Sequence, residues 1–199
     1  MNTLVIIGAS GHGKVIADIA LKNGYTDIVF LDDDESIKRC AGFPVIGRTS
    51  EAKQIDTDKI VAIGNATIRR KIQDQLDNIV TLIHPGAHIS RRVEIGEGTV
   101  VMAGAVINSD VEIGRGCIIN TCSSVDHDCN LGDYSHVAVG AHIAGNVKIG
   151  ERTWIGAGAI INNNIRICDD CVIGSGAVVI RNIENSGKYI GVPAKGIRK

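Results

Sequence analysis

Residues 113–131 read Ile113-Gly114-Arg115-Gly116-Cys117-Ile118-Ile119-Asn120-Thr121-Cys122-Ser123-Ser124-Val125-Asp126-His127-Asp128-Cys129-Asn130-Leu131. Every sixth position is aliphatic: Ile113, Ile119, Val125, Leu131. Two residues before the last three stand the small side chains Cys117, Ser123 and Cys129. Worked outward in both directions, the six-residue spacing holds without a break from Ile83 to Val179. An amphipathic helix repeats its apolar face near 3.6 residues, and a flat strand alternates over a longer run. Neither fits. Very short strands separated by tight bends do, each hexad turning one large and one small residue inward. This is the pattern of a parallel β-helix, in which every coil buries its faces against the next.

A second period sets the cross-section. Val93-Glu94-Ile95-Gly96, Val111-Glu112-Ile113-Gly114, Cys129-Asn130-Leu131-Gly132, Val147-Lys148-Ile149-Gly150 and Ile165-Arg166-Ile167-Cys168 recur at eighteen residues. Three hexads therefore close one coil, and the prism is expected to be triangular. The glycine that ends four of these five segments is read as a corner residue needing positive φ. Coils stack at the interstrand distance, so about five of them make a rod on the order of 25 Å long. The open edges at its two ends need covering.

The composition fits such a core. Of 199 residues 44% are apolar, 24 are glycine and six are aromatic, which suits stacked aliphatic rows better than aromatic packing. The net charge of −1 gives no support to nucleic-acid or membrane-surface binding. No run approaches the roughly 18 apolar residues of a membrane span, and the N-terminus enters a strand with no cationic leader, so a cytoplasmic location is expected. Cys117, Cys129 and Cys171 fall on small inward positions and read as buried space-fillers. Cys168 and Cys171 have the spacing of a metal or redox pair, but no second Cys or His pair stands at zinc spacing and the two are expected on different parts of the coil. No metal is expected.

Residues 1–80 form a different unit from the repeat of 81–199. Thr3-Leu4-Val5-Ile6-Ile7 reads as a strand buried on both faces. It runs into Gly8-Ala9-Ser10-Gly11-His12-Gly13 and then a helical pattern closed by Asn23-Gly24. Strands follow at Ile28-Val29-Phe30-Leu31, ending in Asp32-Asp33-Asp34, and at Ile60-Val61-Ala62-Ile63, ending in Gly64-Asn65, before a helix over 67–76. This order predicts a small Rossmann-like parallel sheet with its loops gathered at the strand C-terminal ends. The glycine loop at a helix N-terminus reads either as an anion site, because free N–H groups and the helix dipole would point at a ligand, or as a tight turn beside a solvated acidic strand end. Its Gly-x-x-Gly-x-Gly spacing differs from the dinucleotide pattern. Asp32 stands where an acid accepts hydrogen bonds from a ribose or base. Half of a dinucleotide fold suits a mononucleotide or nucleotide sugar, not a whole NAD.

Among six histidines the sharpest cluster is Asp126-His127-Asp128. His127 lies two places past the inward Val125, so it is expected to project from a corner. A neighbouring carboxylate fixes an imidazole's tautomer and raises its pKa. His136 follows half a coil later. No Ser-His-Asp or Cys-His nucleophile spacing is present, which favours direct transfer over a covalent intermediate.

These segments together resemble the left-handed β-helix, hexapeptide-repeat acyltransferases, and among them the bacterial nucleotide-amino-sugar N-acetyltransferases and sialic acid O-acetyltransferases. The resemblance runs through Gly8–Gly13, Leu31-Asp32-Asp33, Ala62-Ile63-Gly64-Asn65, Asn120 to Asp128, Tyr134-Ser135-His136-Val137, Ala144 to Gly150 and Gly191-Val192-Pro193-Ala194-Lys195. It implies a homotrimer with acetyl-CoA in grooves between adjacent prisms. It also implies His127 as general base and Asp128 as the carboxylate that raises its basicity, a place where the family often has Glu. His136 then matches a residue at the thioester end of acetyl-CoA, Gly145 an N–H facing the acetyl carbonyl, and Ala157 and Ser175 positions along the CoA groove. Ser10, Gly11 and His12 match phosphate and sugar contacts; Asp32, Asp33 and Gly64 match uridine contacts. The implied activity is N-acetylation of a UDP-linked 4-amino-4,6-dideoxy sugar for bacterial glycan synthesis. The alternatives are O-acetylation of sialic acid or a related sugar, and a non-catalytic trimeric nucleotide-sugar-binding protein.

Overall fold

The apolar run at the N-terminus becomes β1 (Thr3–Ile7), buried from Leu4 onward as a central parallel strand should be. A computed structural model describes residues 3–197, and the chain divides into two units, Met1–Pro85 and Gly86–Lys199. In the first, β1 is followed by α1 (Gly11–Lys22), β2 (Asp27–Leu31), β3 (Arg39–Cys40), β4 (Phe43–Gly47), β5 (Asp58–Val61) and α2 (Ala66–Gln73). The sheet order is β3-β4-β2-β1-β5, parallel except for the β3–β4 pair. The sequence pattern shows three of these five strands and misses β3 and β4. Pro44 sits inside β4 and donates no N–H, which ordinarily argues against a strand; here it faces only the two-residue β3. Gly24 ends α1 at φ +89, and the Asn65 side chain caps α2 by accepting from the Ile68 N–H at 3.0 Å.

In the second unit the hexads are two-residue strands separated by bends, with three residues only in the Cys171–Ile173 strand. One face stacks His88–Ile89, Val106–Ile107, Ser124–Val125, His142–Ile143, Ile160–Ile161 and Val178–Val179. The next stacks Glu94–Ile95, Glu112–Ile113, Asn130–Leu131, Lys148–Ile149 and Arg166–Ile167. The third carries Val100–Val101, Ile118–Ile119, His136–Val137, Trp154–Ile155 and Cys171–Ile173. All these pairings are parallel, and residue n faces residue n+18. The large inward residues from Val101 to Val179 are buried, as are the small partners Thr99, Ala105, Cys117, Ser123, Cys129, Ser135, Ala141, Thr153, Ala159, Cys171 and Ala177. Each buried Ile or Val contributes about 1.5–3 kcal/mol. The stack is closed by Gly187–Ile190, which pairs parallel with Cys171–Ile173 and antiparallel with Lys195–Gly196.

The eighteen-residue glycine has a different cause from the one expected. Gly96, Gly114, Gly132 and Gly150 are not in the left-handed region. A Cβ on Gly96 would lie 2.5 Å from the Arg115 amide nitrogen, and one on Gly132 would lie 2.7 Å from that of Glu151. These glycines let one coil's backbone approach the next. Positive φ belongs to the residues that turn the corners, and most of those are not glycine: Asp110, Asp128, Asn146 and Asn164 on one edge, Tyr134, Arg152 and Asp170 on another.

Candidate active site

In the first unit the loops after β1, β2 and β5 meet at one end of the sheet. Gly8 (φ +111) donates its N–H to the Leu31 carbonyl at 2.8 Å, and its Cβ would fall 2.8 Å from the Ala62 oxygen. A Cβ on Gly13 would strike the Gly8 carbonyl, so both glycines let α1 sit close to β1, whereas Gly11 and Gly64 face open space. Ser10 is the N-cap of α1 and makes no side-chain cap bond. Asp32 accepts from the Ala9 N–H at 2.6 Å and from the Asp34 N–H at 2.9 Å. Ser10, Gly11, His12, Asp32 and Gly64 thus share this mouth. Asp33 is engaged elsewhere, accepting from the Thr49 N–H at 3.0 Å. His12 is half-buried, and among the described residues its Nε2 meets no hydrogen-bond partner. Burial, and then the charge of Arg69, push its pKa down to about 4. Arg69 is buried and donates from Nη1 to the carbonyls of Ile63 and Gly64, 2.8 Å each. The sequence reading misses this residue, whose only sign is a cation four places after the cap Asn65.

In the second unit His127 stands at the edge after the Ser124–Val125 strand with its side chain 56% exposed. Nδ1 is 2.7 Å from Asp128 Oδ2, and Asp126 Oδ1 accepts the His127 N–H at 2.8 Å. The Asp128 hydrogen bond, then the Asp126 charge, hold the imidazole above the ordinary histidine range. One coil on, a Cβ at Gly145 would lie 2.7 Å from both Cε1 and Nε2 of His127. The ring therefore lies against bare backbone. Among the described residues no acceptor bonds the Gly145 N–H.

His136 lies on the third face. Its Nε2 is 3.2 Å from Asn120 Nδ2, and its ring stacks on Trp154 at 4.9 Å between centroids. Trp154 is the n+18 neighbour of His136, so the coil period alone could have found it. Ala157 and Ser175 are exposed and lie one coil apart at the corner between the third face and the first. The first face, with Ser124 and His142, thus separates the His127–Gly145 edge from the Ala157–Ser175 edge.

Cys168 and Cys171 were expected apart, yet the turn at Asp170 (φ +56) brings their sulfurs to 3.5 Å. Burial pushes Cys171 up to about 12, which makes it a poor nucleophile. Among the described residues no three His, Cys, Asp or Glu side chains cluster to hold a metal ion, and no helix is long and apolar enough to cross a membrane.

The family model for the PglD N-terminal domain matches residues 3–76, and that for the bacterial transferase hexapeptide (six repeats) matches 92–127 and 146–181. The acetyltransferase domain of PglB from Neisseria gonorrhoeae FA1090, solved with acetyl coenzyme A, is 40% identical with a TM-score of 0.94, covering 98% of this chain and 99% of that one. PerB from Caulobacter crescentus, solved with CoA and GDP-perosamine, is 38% identical with a TM-score of 0.93, covering 100% and 98%. A curated relative, UDP-N-acetylbacillosamine N-acetyltransferase from Bacillus subtilis (strain 168), is 36% identical over 113 residues, about half of this chain and half of that protein (52% of each). The chain belongs to the left-handed β-helix family of nucleotide-amino-sugar N-acetyltransferases.

Proposed function

We propose that this chain transfers the acetyl group of acetyl-CoA to the amine of a UDP-linked 4-amino-4,6-dideoxy sugar, in the cytoplasm, for bacterial glycan synthesis. The observation that carries it is the exposed His127–Asp128 couple lying against the unbonded N–H of Gly145. His127 Nε2 accepts the amine's proton as the nitrogen attacks the thioester carbonyl, while Nδ1–H stays bonded to Asp128. That bond stabilises the imidazolium, and general-base help of this kind gives about 10²–10⁴-fold. The Gly145 N–H faces the developing oxyanion, an interaction that can lower a barrier by about 3 kcal/mol. The imidazolium then returns its proton to the leaving thiolate. His136, Ala157 and Ser175 line the course of CoA. Ser10, Gly11, His12, Asp32 and Gly64 take the nucleotide sugar, with α1's N-terminal N–H groups facing its phosphates, and Asp33 reaches the nucleotide only through the carboxylate oxygen that Thr49 leaves free.

A homotrimer belongs to this proposal. His127 and Gly145 lie on one edge of the prism and Ala157 and Ser175 on another, so a groove between two copies would pair the edges. Six free cysteines agree with a reducing compartment. The test is thiol release from acetyl-CoA with a panel of UDP- and GDP-linked amino sugars and free or CMP-linked sialic acids. His127→Ala should abolish turnover with a UDP-linked 4-amino sugar. Full activity in that variant refutes the assigned base, turnover of sialic acids alone points to O-acetylation, and UDP-sugar binding without acetyl-CoA binding points to a sensor.

A further inference from the structure

The edge that carries Asp128 is a single column with an eighteen-residue step: Arg92, Asp110, Asp128, Asn146, Asn164. Its last four members turn the corner at φ 62, 59, 56 and 62. The Asp128 N–H reaches back to the Ser109 carbonyl at 3.1 Å, which sets Asp128 one coil, about 4.8 Å, beyond Asp110. Two carboxylates at that spacing repel each other. Beyond Asp128 the column avoids the conflict with amides, Asn146 Nδ2 donating to Asn164 Oδ1 at 2.8 Å. Below it the conflict is met by a cation. Arg92 clasps Asp110 with both prongs, Nε to Oδ1 at 2.7 Å and Nη2 to Oδ2 at 2.8 Å.

We propose that Arg92 and Asp110 are positioning residues for the His127–Asp128 couple: Arg92 neutralises Asp110, so that Asp128 keeps its carboxylate on His127 Nδ1 and feels neither a bare anion nor a free guanidinium beneath it. This rests on His127 being the base. The groups facing His127 are few. Its own corner holds Asp126, Asp128 and the buried thiol of Cys129; the coil below holds Ser109 and Asp110, and the next coil down holds Arg92, clasped to Asp110. The coil above holds Gly145 and Asn146, and His142 is bonded to Ser124 at 2.9 Å. The charge of Asp128 reaches Arg92, which the Asp110 bond already holds strongly protonated.

Asp110→Asn leaves Arg92 to turn to Asp128 and compete with His127. Arg92→Gln leaves Asp110 as a bare anion. The two changes therefore move His127 in opposite directions, and the double variant, with the original net charge, restores it. The experiment titrates the trimer's histidines by NMR, assigning His127 by its absence in His127→Gln, alongside the pH profile of kcat/KM. The expected shifts are down by about half a pH unit for Asp110→Asn and up by about as much for Arg92→Gln, with both shrinking in high salt. Arg152→Gln, which breaks a similar two-pronged clasp on Asp170 at another edge, should lower the melting temperature and leave His127 unmoved. Same-sign shifts, no shifts, or a double variant as displaced as either single one would overturn the proposal. NMR shifts that appear while the kcat/KM profile stays fixed would uphold the pairing and refute His127 as the base.

Discussion

Gly145→Ala adds one methyl group at the point where the chain comes closest to the imidazole. The added carbon would sit 2.7 Å from Cε1 and Nε2 of His127. Carbon contacts settle near 3.5 Å, so the ring must retreat by about 0.8 Å. It can do so cheaply, because the side chain is 56% exposed and Gly145 is not in the left-handed region. Stability should therefore fall by less than about 1 kcal/mol. A base displaced by about 1 Å loses on the order of 10²-fold in rate, near 3 kcal/mol. Alanine retains the backbone N–H, so the loss reports on the imidazole and not on the oxyanion contact. Thiol-release kinetics with a melting curve measure both quantities. A Gly145→Ala enzyme with unchanged kcat would refute the reasoning, as would an undiminished loss in a His127→Ala background, where the displaced ring no longer exists.

Two kinds of glycine should respond oppositely to substitution. Gly114→Ala drives a carbon to 2.7 Å from the Asp133 amide nitrogen and should cost several kcal/mol in urea unfolding. Gly140→Asn turns a corner at φ +62 with nothing within 4 Å, one coil from Cys122 at φ +54, and should stay within about 1 kcal/mol of wild type. Asp128→Ala removes the main cause of the raised His127 pKa, so the acid limb of kcat should move to lower pH while the plateau rate falls. Unmoved limbs would mean that another group titrates. His12 at about 4 stays neutral in the folded chain where an unfolded histidine, near 6.5, is already protonated. Stability should therefore be intact above 6.5 and lost as pH falls towards 4, by no more than about 3 kcal/mol, and His12→Gln should flatten melting temperature over that window.

The prism was legible because each hexad carries its own large and small inward residues, and seventeen repeats leave little freedom in register. Local pattern also placed Gly8–Gly13 between strand and helix and His127 on a corner. Contacts one coil away were harder to see. The Arg92–Asp110 clasp, the Trp154 stack on His136 and the close approach at Gly96 and Gly132 all join residues eighteen or nineteen apart; the coil period names such neighbours, and the stacked coil shows which of their groups touch. In the first unit Arg69 was invisible for a similar reason: its acceptors are carbonyls, which carry no residue identity. The thiols of Cys168 and Cys171 were misplaced because the tightness of the Asp170 turn is a backbone property.

The n-to-n+18 register also constrains how such a gene can change. Loss of a whole coil would shorten the stack and leave every remaining vertical alignment intact. Loss of a single hexad between Asp110 and Asp128 would rotate all that follows by a third of a turn, sending the imidazole to a different side of the molecule from its supporting charges. Deletions within the repeat, and insertions that join the stack instead of looping out at a corner, should therefore come in multiples of eighteen codons.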